Sequence, residues 1–532
     1  MKSAPALLLL AVLALLFAVV FSTAVLAQSS GPQAGYFSFA RPVLYSAGFG
    51  AQSVAVADLN GDGHPDMIVV DARCYQCVQS QVSVLLGKGD GTFQPAINYS
   101  AGYQGQSVAV GDLNADGHLD VVIANTCQSM PNPVCPDGGA VTVLLGNGDG
   151  TFRPPVTYSS GGFNAVSAII GKVAGGNKAD ILVANQCQYA SNCDGSADGT
   201  VGVLLGKGDG TFRPAVMYDA GGVYPRSIAF FDTNQDGRPD IVVVNEFQCP
   251  GCNNSGFAVL LGNPNGTFQP QAIYALSGFG GSLAVGDVNG DGRPDLVVAL
   301  CNEYSCQFST NAIVLLGNGD GTFQDAGLYY STGGSGEQFL TLADLNGDGW
   351  LDLVAVGVCR PGTDCRYISG TIAVLVGRSG GFLPTVTFNV GAYNPLAVVA
   401  ADINADHRPD LVVANYCLKP TCNAKTGTGT LSVFLNNYFA ATTIALTSSL
   451  NPSQVKQAVT FTATISTSDV PDGSMVTFYD GSTTLGTGTT SGDAATLTTT
   501  FSKAGKHTIQ ASYAGDAFHK ASAGKLTQVV NP

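Results

Sequence analysis

Between Asp58 and Asp410 the chain repeats one segment seven times, at intervals of 54 to 60 residues. Six copies carry the nine-residue phrase DxNxDGxxD or a near copy of it. A chain that restates a unit of this size must stack like units against one another, because no single copy can bury its own apolar face.

The copies place oxygen-bearing side chains at positions one, three, five and nine: Asp58, Asn60, Asp62 and Asp66; Asp112, Asn114, Asp116 and Asp120; Asp232, Asn234, Asp236 and Asp240. The others are Asp287, Asn289, Asp291 and Asp295; Asp344, Asn346, Asp348 and Asp352; Asp402, Asn404, Asp406 and Asp410. Position seven, which would offer its backbone carbonyl, is His64, His118, Arg238, Arg293, Trp350 or Arg408. Calcium takes six to eight oxygens at about 2.3–2.6 Å, so this donor set predicts about six structural Ca²⁺ ions. An EF-hand would need Glu at position twelve between two helices; the first copy has Val69 there and β-rich flanks. The alternative, that Asp, Asn and Gly are merely turn formers, fits one such loop far better than six in register.

The third repeat is an internal control, since Lys172, Ala174 and Gly176 stand where the first three ligands belong, while Asn177 and Asp180 survive. A turn without metal is expected there. In the seventh copy His407 replaces the position-six Gly, which predicts backbone strain of about 1 kcal/mol. The formal net charge of −15 disfavours nucleic acid as a partner, and divalent ions in six loops would cancel most of it.

With 68 Gly, only 11% charged residues and almost no helical periodicity, the rest reads as short strands joined by tight turns. In the first repeat, strands are expected at 53–57, 67–70, 82–86 and 93–99, with a hairpin turn over Gly87-Lys88-Gly89-Asp90-Gly91. Four strands per repeat and seven repeats predict an all-β fold, a seven-bladed β-propeller. The seventh repeat lacks a fourth strand, but Phe39 to Tyr45 matches Phe93 to Tyr99, so residues 36–46 are expected to close blade seven.

The fourteen cysteines fall one pair per repeat: Cys74/Cys77, Cys127/Cys135, Cys187/Cys193, Cys249/Cys252, Cys301/Cys306, Cys359/Cys365 and Cys417/Cys422. Each pair follows the same strand, which predicts local disulfides in an oxidising compartment. Zinc or redox chemistry at the two CxxC pairs is the competing reading; those pairs belong to repeats one and four, which are not neighbours in a ring of seven.

Residues 1–27 read as a secretory signal cleaved after Ala27, with an uncleaved anchor as the alternative. The expected domains are this leader, a propeller over 28–438, and a β-sandwich over 440–532 whose Ser/Thr-rich alternation includes Val459 to Ile465. The mature chain is expected to be secreted, periplasmic or at the cell surface, without a membrane span, and monomeric.

The repeats resemble the FG-GAP/VCBS family, best known from the seven-bladed propellers of integrin α-subunits, over roughly residues 36–437. The resemblance implies calcium at the loops quoted above, between the first and second strands of each blade. Six loops instead of three or four, and a Cys pair in every blade, depart from the integrin pattern. The C-terminal segment, with Phe478-Tyr479-Asp480-Gly481 and Gly505-Lys506-His507-Thr508-Ile509, resembles bacterial Ig-like repeats.

Strand alternation puts the DxNxDGxxD loops and Gly-Asp-Gly turns on one rim of the ring, the Cys loops and blade-to-blade connectors on the other. The connectors carry Phe49, Tyr103, Phe163, Tyr224, Phe279 and Tyr393, and the Cys loops add Tyr75, Tyr189 and Tyr304. This aromatic rim is the expected site for an extracellular protein or glycan ligand; packing between blades is the competing role. A polysaccharide lyase or glycosidase is the rival function. The chain has only Glu246, Glu303 and Glu337 as glutamates, and Glu303 is the one acid placed to test it. No catalytic residue is expected.

Overall fold

Strands form where the sequence alternates apolar β-branched residues, and the acidic loops and Gly-rich turns punctuate them. The structure, a computed structural model, describes residues 39–532 apart from 72–78, 130–136, 174–175, 177, 190–192, 194–196, 248–254, 302–309, 325–326, 333–338, 358–368, 419–427, 438–441, 467–469, 471 and 517–518. The leader, Tyr75, Tyr304, Glu303, Glu337 and the second cysteine of most pairs lie outside the described residues. Among the described residues no helix is long and apolar enough to cross a membrane.

Seven four-stranded antiparallel sheets make a seven-bladed β-propeller. Blade one consists of Ala51–Ala57, Asp66–Asp71, Gln81–Leu85 and Ile97–Ser100. Its second strand is buried throughout, because the sheet is covered on both faces by its neighbours, whereas the outermost strand is largely exposed. Ile68, Val70, Val82 and Val84 of blade one pack against Val121, Ile123 and Leu144 of blade two. Each such side chain contributes about 1.5–3 kcal/mol by leaving water.

Blade seven takes Tyr393–Ala401, Asp410–Cys417 and Thr430–Phe434 from the end of the ring and Val43–Ser46 from its beginning. Val43 pairs with Val433 and Ser46 with Thr430, and Phe39 bridges to Asn436. The ring is therefore fastened through Phe39 and Val43–Ser46, which precede blade one in the chain.

Two features of the blades differ from the sequence expectation. The fourth strand of blade one begins at Ile97, not Phe93; Phe93 forms only an isolated bridge to Gly87, and its ring is buried against the neighbouring blade. Prolines such as Pro95 follow that Phe and cannot donate to a ladder, which delays the strand. The first strands also carry a bulge, as between Ala51 and Ser53, Gly105 and Ser107, and Ala165 and Ser167. The serine after the bulge reaches across the joint: Ser107 Oγ accepts the Ala168 N–H at 2.9 Å, and Ser282 Oγ that of Leu340 at 3.0 Å.

The second unit, Thr443–Tyr513 with Ala523–Pro532, is a β-sandwich. Phe461, Phe478, Val476 and Ile509 fill its core. The strand Thr483–Ser491 pairs first with Met475–Asp480 and then with Ala494–Thr500, joining the two sheets.

Candidate metal centres

Each DxNxDGxxD loop folds around its own carboxylates. In blade one, Asp58 Oδ1 accepts the Gly61 N–H at 2.8 Å and Asp58 Oδ2 that of Gly63 at 2.8 Å. Asp62 Oδ1 accepts from His64 N at 2.8 Å, and the Asn60 amide donates to Asp62 Oδ2 at 2.9 Å. The position-six N–H reaches the position-one carboxylate in all six loops, at 2.7 to 3.0 Å. Such bonds require left-handed backbone at position six, supplied by Gly63 and, in blade seven, by His407 at φ 65°. Position four is left-handed too, even where it is Ala115, Gln235 or Ala405.

Position nine does something else. Asp66 is fully buried; its Oδ2 accepts the Leu59 N–H at 2.8 Å and its Oδ1 accepts Gly87 N at 2.7 Å. Gly87 opens the hairpin between the third and fourth strands, so one carboxylate ties the acidic loop to the neighbouring turn. The same pair of accepted N–H hydrogen bonds recurs in every blade, at Asp120, Asp180, Asp240, Asp295, Asp352 and Asp410. Asp180 makes it although Lys172, Ala174 and Gly176 leave its repeat without the other carboxylates. The position-nine brace therefore belongs to the fold, with or without a metal.

Burial pushes the carboxyls of Asp66, Asp120 and Asp295 up to about 6 and that of Asp410 to about 7, against the pull of two backbone N–H bonds each. The loop's other carboxylates add to the rise; in blade one these are Asp62 and Asp58. A cation would reverse the balance.

The donor set fits a hard cation: two carboxylates, an amide and a carbonyl within one loop, with the position-nine carboxylate beside them. A carboxylate oxygen has two lone pairs, so one that accepts a single N–H, as Asp58 Oδ2 does from Gly63, keeps capacity for a metal. As they stand, these side chains are turned onto N–H donors and the Asn amide, and among the described residues no three acidic, His or Cys side chains converge as a metal cluster. The Asp of each Gly-Asp-Gly turn serves the turn alone: Asp90 Oδ1 accepts the N–H and hydroxyl of Thr92 at 2.9 and 2.5 Å.

On the opposite rim the structure separates the aromatic residues into two groups. Tyr103, Phe163, Phe279 and Tyr393 each begin a first strand directly across from Cys127, Cys187, Cys301 and Cys417. Tyr224 donates its hydroxyl to the Cys193 carbonyl at 3.2 Å and meets Phe247, which in turn meets Phe279 edge to face. Of these, Tyr224 reaches a Cys loop through its own side chain. Phe49 and Tyr189, by contrast, are 47% and 55% exposed. Cys187 and Cys193 form a disulfide, and Cys127, Cys301 and Cys417 are disulfide-bonded as well. Glu246, the described glutamate, is held by Arg226 at 2.9 and 2.5 Å.

Models of the FG-GAP-like repeat match residues 16–69, 74–123, 175–243, 249–298 and 303–355, together more than half of the chain, and an FG-GAP repeat model matches 104–144. The chain belongs to the FG-GAP repeat family. The C-terminal unit of this FG-GAP protein matches a bacterial Ig-like domain (group 3) over 446–531. Integrin alpha-7 from Mus musculus is 28% identical over 177 residues, 31% of this chain and 15% of the integrin, and its Rattus norvegicus counterpart is 28% identical over the same length. The FG-GAP chain thus spans about one sixth of the curated relatives it matches. Among solved structures, the extracellular domain of a one component system from B. thetaiotaomicron aligns over 94% of this chain and 59% of that one, at TM-score 0.41 and 9% identity. A biofilm matrix protein of V. cholerae aligns over 92% and 76%, at TM-score 0.32 and 14% identity.

Proposed function

We propose that this FG-GAP protein is an exported, non-catalytic binding module whose acidic loops take up structural calcium and whose opposite rim meets an extracellular protein or glycan. The observation that carries the reading is exposure on that rim: Phe49 and Tyr189 are about half exposed, whereas Tyr103, Phe163, Tyr224, Phe279 and Tyr393 are more covered. Tyr189 stands in the loop closed by the Cys187–Cys193 disulfide, so its exposed side chain supplies contact area at little entropic cost. Similarity to integrin alpha-7 favours an extracellular setting. Against catalysis stands the use of the acids, since the described carboxylates of the loops and turns accept backbone or hydroxyl donors and Glu246 is bound to Arg226.

Calcium-loaded protein probed on glycan and protein arrays tests this reading. A ligand retained by the native chain and lost by the Phe49→Ala, Tyr189→Ala double variant at unchanged melting temperature supports it. Release of reducing-end or unsaturated product from a polysaccharide panel contradicts it.

A further inference from the structure

The six acidic loops differ at position seven, and the difference is electrostatic. In blade four the Arg238 guanidinium pairs with Asp236 Oδ2, and in blade seven that of Arg408 pairs with Asp406 Oδ2. Oδ1 of the position-five carboxylate is committed to the position-seven N–H, at 2.9 Å for Arg238 and 3.0 Å for Arg408. Oδ2 is then the oxygen that an incoming cation approaches, and the guanidinium already covers it. Blade five also carries arginine at this position, but Arg293 Nη1 donates to the Asn318 carbonyl at 3.1 Å and its Nε stands 3.9 Å from Asp291. In blades one, two and six the residue is His64, His118 or Trp350. In blade two Arg153 Nη2 stands 3.7 Å from Asp116 Oδ2, beyond hydrogen-bond reach and 53% exposed, so the guanidinium does not cover that oxygen.

We propose that Arg238 and Arg408 are resident counter-cations that occupy the metal's place beside Asp236 and Asp406, so that the loops of blades four and seven bind calcium more weakly than those of blades one, two, five and six. The inference rests on the calcium reading above. Arg408 is the stronger competitor, because its side chain is 8% exposed against 41% for Arg238 and leaves its carboxylate less readily. His407, with a left-handed backbone, further burdens the blade-seven loop. The loops divide into four open sites and two that carry their own charge.

Calorimetric calcium titration of the full chain, with bound calcium counted by elemental analysis, tests this. Four tight sites and two weaker ones are expected. Arg238→Met should tighten one weak site about fivefold, and Arg408→Met the other by more, while Arg293→Met leaves the titration unchanged. If Arg408→Met does not fold, the half-exposed Arg238 carries the test through its own variant. Six equivalent sites in the native chain, or no tightening in Arg238→Met, overturns the assignment of the arginines and leaves the calcium reading intact; no calcium at any loop overturns both.

Discussion

Phe39 meets Phe388 edge to face, ring centroids 5.2 Å apart and planes at 88°. The pair closes a circle. Tyr45 and Phe93, Tyr99 and Phe152, Tyr158 and Phe212, Tyr218 and Phe268, Tyr274 and Phe323, and Tyr330 and Phe382 make the same edge contact at the other six joints. In each, the outer strand of one blade offers a ring to the Phe that follows the hairpin turn of the next. Phe39 comes from the segment before blade one yet fills this place for blade seven, so the joint that closes the ring is built like the rest.

Phe39→Ala should cost about 2 kcal/mol or more, from lost burial and the lost edge contact. Chemical denaturation against the native chain measures it. Val156→Ala, on an exposed outer strand, is the control and should change little. Equal stability of Phe39→Ala and the native chain would remove the closure from the account.

Asp180→Ala orphans the buried N–H of Val173 and the half-buried N–H of Gly206, which should destabilise by about 2 kcal/mol both with calcium and with chelator. Asp58→Ala should lower stability chiefly when calcium is present. Thermal melts of both variants under both conditions separate the brace from the metal site; a calcium-dependent loss in Asp180→Ala would contradict the separation.

Much of the fold was legible because its signals are periodic: the acidic phrase, the Gly-Asp-Gly turn and the paired cysteines recur in register, and Phe39 to Tyr45 repeats Phe93 to Tyr99. What those rings do was not legible. The contact of Tyr99 with Phe152 joins separate repeats, and a one-dimensional pattern shows the recurrence without the partner. The bulge before Ser53 and the left-handed Ala115, Gln235 and Ala405 carry no Gly signal, so they were equally silent. At the candidate sites, position nine read as one more oxygen donor; its burial and its two N–H donors, one of them distant in sequence, belong to the folded chain. The aromatic rim was the least legible, since a one-dimensional pattern shows neither the hydroxyl bond of Tyr224 nor the exposure of Tyr189.

Acidification should stabilise the metal-free protein. The carboxyls of Asp66, Asp120, Asp295 and Asp410 have folded-state values of about 6 to 7, raised above the unfolded range near 4. Their ionisation penalty is fully present above about pH 7 and is relieved as pH falls toward 4. In chelator, the denaturant midpoint should rise between pH 7 and pH 5; a fall over that window would contradict the buried, uncompensated carboxylates.

His407→Gly should stabilise the chain by about 1 kcal/mol, because His407 sits at φ 65° where every other loop of this kind has glycine. The open space around the corresponding Gly63 and Gly117 leaves backbone conformation as the whole cost. Urea titration of the variant measures it, and an unchanged midpoint would show that the loop absorbs the strain.

Calcium is proposed to clamp the acidic rim of the ring. The most direct measurement is the melting temperature of the full chain in saturating calcium and again in chelator. Several ions, each bound well below the working concentration, should hold the loaded protein about 10 °C above the stripped one. Coincident melts would contradict it.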